Sequence, residues 1–128
     1  MPFQIYVHEA ADIIEVIYPP HPTQEDVAAY VTEVTRLLDT RRKRFGCLVD
    51  QRALVVMSQE LVHTVATLNA YAEIRGMVRS ARIAPSELAH AQTERMAREA
   101  SLAVPAATFA SRDEAIAWLL QGLGHRQR

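Results

Sequence analysis

The chain has 128 residues, 49% of them hydrophobic, which suits a single domain with one sizeable core. Its 14 Lys and Arg against 15 Asp and Glu leave a formal charge of −1, so no overall field draws in nucleic acid or an anionic membrane. A lone cysteine, Cys47, excludes an internal disulfide and a clustered thiolate metal site.

Phe3, Ile5 and Val7 alternate with Gln4, Tyr6 and His8, the period of two of a strand with one covered face. After Ala10-Ala11-Asp12, the residues Ile13 to Tyr18 supply a second, β-branched strand, and the two read as a hairpin. Pro19, Pro20 and Pro22 stop it, because proline has no N–H for the ladder and restrains the residue before it. Thr23 is a good N-cap, and Glu25 and Asp26 place negative charge in the first turn, where the helix dipole favours it. Val27, Tyr30, Val31, Val34, Leu37 and Leu38 then recur on one face of a helix expected to run to about Lys43. Its end carries Arg41-Arg42-Lys43-Arg44. Cations complement a last helical turn and stay solvated there, a reading preferred over a phosphate- or lipid-binding patch.

Gly46 to Asp50 reads as a central parallel strand ending in a carboxylate, with Cys47 an inert buried thiol. The connection Gln51 to Met57 holds four apolar residues in a row, Leu54-Val55-Val56-Met57. Either Leu54 and Val56 tuck under the sheet edge, or the run is an exposed patch for a partner. From Ser58, the residues Leu61, Val62, Val65, Leu68, Ala72 and Ile74 mark a second helix, ending near Arg75-Gly76. Met77 to Ala84 is a fourth strand, partly solvated on account of Arg79 and Arg82. Pro85-Ser86-Glu87 opens a third helix reaching about Ser101, the weakest in apolar periodicity and so the most exposed. Val104 to Ala110 is a fifth strand, at an edge because of Pro105. Ser111-Arg112-Asp113-Glu114 is a capping box, and Ala115, Ile116, Leu119 and Leu120 face inward from a last helix ended by Gly122 and Gly124. The domain is expected to span residues 1–121, with 122–128 a short flexible tail.

The order is therefore ββαβαβαβα: an α/β fold with a mostly parallel five-stranded sheet, an antiparallel N-terminal hairpin and four helices. This order, closed by Ser111-Arg112-Asp113-Glu114-Ala115-Ile116-Ala117-Trp118-Leu119 after a strand containing Phe109, resembles the SpoIIAA-like STAS domains. The resemblance covers nearly the whole chain. It implies helices stacked along one side of the sheet and a binding module that performs no catalysis. In the family's anti-sigma antagonists the loop after the third strand ends in Asp-Ser-Ser-Gly, one serine being a phosphorylation switch. The matching positions here are Ser58, Gln59 and Glu60, so the switch is missing and Ser58 is better read as an N-cap.

The residues carry little that points to chemistry. None of His8, His21, His63, His90 and His125 stands at zinc-binding spacing, and there is neither a glycine-rich phosphate loop nor a Gly-x-Ser-x-Gly elbow. No enzyme, metal or cofactor is expected, and no nucleic acid. Met1-Pro2-Phe3-Gln4 does not read as a secretory signal, and no apolar run approaches the roughly 20 residues of a membrane span. A cytoplasmic regulatory module working by protein–protein contact is expected, with Asp50, Gln51, Arg52, Ser58, Gln59 and Glu60 as the partner-binding rim. The alternative is a carrier of a lipid or small apolar ligand, with Leu54, Val55 and Met57 as its candidate contacts. The sheet face away from the helices displays Gln4, Tyr6, His8, Ile13, Glu15 and Ile17, or their alternates, and reads equally as a homodimer core or as a solvated surface.

Overall fold

The computed structural model describes residues 2–84 and 103–124. One sheet runs in the order β1-β2-β3-β4-β5, formed by β1 (Gln4–His8), β2 (Ile13–Ile17), β3 (Phe45–Asp50), β4 (Met77–Ile83) and β5 (Ala106–Phe109). The N-terminal pair is antiparallel, with Tyr6 opposite Glu15, and every later pair is parallel. The expected hairpin, central third strand and edge fifth strand are all present. Among the described residues there are three helices rather than four: α1 (Gln24–Thr40), α2 (Gln59–Ile74) and α3 (Arg112–Gly122). The helix expected from Pro85 to Ser101 lies wholly outside the described residues. α3 includes Gly122, and residues 125–128 of the expected tail lie outside the described residues.

Each described helix begins on a side-chain cap. Thr23 Oγ1 accepts from the Asp26 N–H at 3.0 Å while the Thr23 N–H donates to Asp26 Oδ2 at 3.1 Å, a reciprocal pair that satisfies two free donors. Ser58 Oγ accepts from the Leu61 N–H and Ser111 Oγ from the Glu114 N–H, which fixes where α2 and α3 start. After α2 the chain turns through Gly76 at φ +115°, a left-handed conformation that side chains disfavour. Its carbonyl then accepts from the Phe45 N–H at 3.1 Å, tying the turn to the start of β3.

The two faces of the sheet bury different sets of residues. Ile14, Val16, Phe45 and Val49 join Val27, Tyr30, Val34 and Leu38 of α1 and Leu61, Val65 and Leu68 of α2 in the larger core. Phe3 stacks on Tyr30 at 4.4 Å and meets Tyr18 edge-on, closing this core at the N-terminus. Burial raises the Tyr18 hydroxyl to about 12 and the Cys47 thiol to about 11, so both stay neutral at physiological pH. Ile13, Leu48, Ala81 and Ile83 point the other way and meet Ala115 and Leu119 of α3. The expectation of helices on one side is thus corrected: α1 and α2 cover one face, and α3 covers the other. Ile13 and Glu15 of the proposed dimer face lie beneath it, whereas Tyr6 on β1 stays exposed.

Gly46 makes room for this second layer. A Cβ there would sit 3.1 Å from Leu119 Cδ2, closer than ordinary packing allows. Arg79 lies over the Trp118 ring at 4.6 Å and donates to the Trp118 carbonyl at 2.8 Å, holding α3 against β4. Arg82 was expected to be partly solvated but is buried. Leu119→Ala, in a fully buried site, is expected to lower stability by about 3 kcal/mol, seen as an earlier urea midpoint at unchanged slope.

Candidate functional site

The C-terminal ends of the parallel strands gather most of the predicted rim, and the structure divides it into buried and exposed residues. β3 ends at Asp50, whose carboxylate accepts from the Arg52 N–H at 3.1 Å, Nε at 3.0 Å and Nη2 at 2.8 Å. Asp50 itself is buried, as is Gln51, so neither is an outward contact as expected. Asp50 instead folds the outgoing chain back and holds the Arg52 guanidinium, whose affinity for its proton rises through that hydrogen bond. Gln51 borders, with Tyr18, Asn69 and Arg82, a void of about 10 Å³ beside α2. Its Oε1 has no hydrogen-bond partner among the described residues.

A second charged group stands beside this one. The Arg112 guanidinium at the start of α3 donates to Glu15 through Nε at 3.0 Å and Nη2 at 2.8 Å, while His8 Nε2 lies 2.8 Å from the same carboxylate. The hydrogen bond from Arg112 holds the Glu15 carboxyl below its ordinary value, against the opposing effect of burial. Arg112 feels the charge of Asp50, and Arg52 feels those of Arg112 and Glu15, so the two acids and two arginines act as one electrostatic unit. Sequence reasoning did not assemble this unit. Its one signal was an acid inside the apolar run Ile13-Ile14-Glu15-Val16-Ile17, which needs a buried counter-charge, but the partner lies 97 positions away.

Between Arg52 and the cap of α2 the chain crosses the rim as a loop. The Leu54 N–H donates to the Gln51 carbonyl and the Val55 N–H to the Pro20 carbonyl at 2.9 Å, pinning the loop to the proline segment after β2. Leu54 is partly buried against the main core and Met57 is buried in it, so two of the three candidate ligand contacts serve packing. Val55 and Val56 are 60% and 55% exposed. Val56 therefore does not tuck under the sheet, and the two valines stand exposed side by side. Ser58, Gln59 and Glu60 follow on the surface, with Ser58 acting as the N-cap of α2.

Elsewhere, Val31 and Thr35 of α1 and Thr64, Thr67, Leu68 and Tyr71 of α2 line an open groove of about 550 Å³. It contains none of Leu54, Val55 or Met57. Among the described residues no group of three His, Cys, Asp or Glu is placed to hold a metal ion, and no helix is long and apolar enough to cross a membrane.

Neither a protein-family model nor a curated relative matches the chain. It is similar to a crystal structure of an uncharacterised DUF3478-family protein from Shewanella loihica PV-4, described as having a SpoIIAA-like fold. The TM-score is 0.74 at 17% identity, across 92% of this chain and 94% of that one. The chain has a SpoIIAA-like fold.

Because the folded state holds Glu15 ionised, its bond to Arg112 contributes stability above the unfolded carboxyl value of 4.5, and that contribution fades as pH falls through the lower folded value. Arg112→Ala is expected to cost about 2 kcal/mol at neutral pH. In urea titrations across pH, the gap between native and variant should stay level from neutral pH to mildly acidic conditions and close below the unfolded value.

Proposed function

We propose that the domain is a non-catalytic docking module whose contact surface is the loop and helix start after β3, namely Arg52, Val55, Val56, Gln59 and Glu60. The observation that carries this reading is the pair of adjacent valines, both more than half exposed on a loop that backbone hydrogen bonds from Leu54 and Val55 pin to Gln51 and Pro20. Exposing them costs solvation free energy that a partner recess would recover, and a pinned loop loses little entropy on docking. Asp50 and Gln51 sit behind this surface as its supports. Arg52 on one side and Glu60 on the other give it opposite charges at its margins, which favour one docking orientation. Without the family's phosphoserine, the surface carries a permanent negative charge at Glu60 and is constitutive rather than switched.

The carrier reading rests on a different feature, the apolar groove between α1 and α2. A carrier retains its cargo through gentle purification, so an additional mass in native mass spectrometry would favour that reading over docking.

A photo-crosslinking residue placed at Val55 in the source cell is expected to capture one discrete protein. The same residue at Ile74, which is 79% exposed at the far end of α2, should not. Adding Val56→Asp should abolish the Val55 adduct. Equal labelling from both positions, or an adduct that survives Val56→Asp, would count against this surface.

A further inference from the structure

The basic run after α1 was expected to belong to the helix and to offset its dipole, but the helix ends at Thr40 and none of these cations lies in its last turn. The carbonyls at that end are instead met by Arg75, whose Nε donates to the Leu38 carbonyl at 2.9 Å and whose Nη2 donates to the Asp39 carbonyl at 3.1 Å. A longer contact of 3.5 Å reaches the Arg41 carbonyl. The negative end of α1 is thus already compensated from α2, and the run needs another account.

Its four cations have different fates. Arg41 is turned inward, 3.3 Å from Asp12 Oδ1 and 3.9 Å from Glu9 Oε2, and lies over the Phe45 ring. Arg44 reaches the Gly122 carbonyl at 3.5 Å. Arg42 and Lys43 are exposed, and among the described residues neither has a carboxylate within ion-pair distance. Arg42 and Lys43, with Arg44 next to them also lacking a carboxylate among the described residues, form a local field that the net charge of −1 conceals.

Arg42 and Lys43 flank a cleft of about 260 Å³ beside the β1–β2 turn. Val7, Ile14 and Leu37 give it apolar lining, and the one carboxylate among its described lining residues, Glu9, is largely exposed and lies 3.9 Å from Arg41. We propose that this cleft binds a phosphate monoester, with Arg42 and Lys43 meeting the phosphate and the apolar lining receiving the adjoining hydrocarbon. Two uncompensated cations match a group that approaches two negative charges at neutral pH better than they match a singly charged carboxylate. The cleft falls just under the usual range for small-molecule sites, which suits a headgroup or a small ester rather than a whole dinucleotide. It lies away from the docking loop and does not depend on it.

The test is an NMR titration of the full chain with phenyl phosphate. Saturating shifts are expected at the Val7, Ile14 and Leu37 methyls, with affinity falling about tenfold or more in Arg42→Ala/Lys43→Ala. Arg36→Ala, which removes an exposed helix cation, should leave affinity unchanged. Both residues of the double variant are exposed, so it is expected to fold as the native chain does. Cosedimentation with vesicles containing phosphatidic acid but not with phosphatidylcholine vesicles, lost in the double variant, would assign the ester to a lipid headgroup. Phenyl phosphate binding without cosedimentation would assign it to a soluble compound. Shifts that do not saturate, that map elsewhere, or that persist at equal affinity in the double variant would overturn the proposal.

Discussion

The bond between Arg112 and Glu15 fixes how the two layers meet. A carboxylate in the middle of an apolar strand and beneath a helix is costly unless its lone pairs are filled, and the guanidinium fork fills them from the first residue of α3 while His8 adds a third partner. The same contact sets the position of α3. With its opening residue held at β2, Ala115 and Leu119 lie over Leu48, Ala81 and Ile83, and Gly46 leaves space for the leucine. A hydrophobic residue in place of Glu15 would pack as well but would not distinguish one placement of the helix from its neighbours, so the pair supplies register as well as free energy.

The two ends of the strands differ in how their charges are settled. At the C-terminal ends, Arg52 and Arg112 each have a carboxylate partner, and an apolar projection stands at Val55 and Val56. Beside the β1–β2 turn, Arg41 is paired with Asp12, while among the described residues Arg42 and Lys43 have no carboxylate within ion-pair distance. A chain whose total charge is close to zero thus carries an apolar projection on one surface and exposed cations on another. Asp12 takes part in the second arrangement through its backbone too: it adopts φ 54°, which a short polar side chain tolerates, and its carbonyl accepts from the Gly46 N–H.

Much of the scaffold was legible because it depends on local signals. Thr23, Ser58 and Ser111 each cap a helix where the sequence places one, and the short apolar run at β3 does lie between two parallel neighbours. The side taken by α3 was not legible. A helix that links two parallel strands is constrained by the handedness of the crossover, as α1 and α2 are, but α3 follows the last strand and no later strand constrains it. The inward turn of Asp50 and Gln51 was hidden for a similar reason. A carboxylate at a strand end looks like a surface group until Arg52, two residues on, folds back over it. The α1 terminus was misplaced because Arg75, far along the chain, supplies the cap that the local basic run appeared to offer.

Cys47 sits between β2 and β4 on the central strand, packed against the larger core, with its proton affinity raised by burial to about 11. Almost none of it is thiolate at neutral pH while the strands stay paired, so alkylating reagents and peroxide have little to attack. Once the sheet parts, the sulfur reverts to an ordinary reactivity. Pairing of the strands thus slows sulfur chemistry at this position, while the partial exposure of Cys47 leaves the folded chain within reach of small reagents.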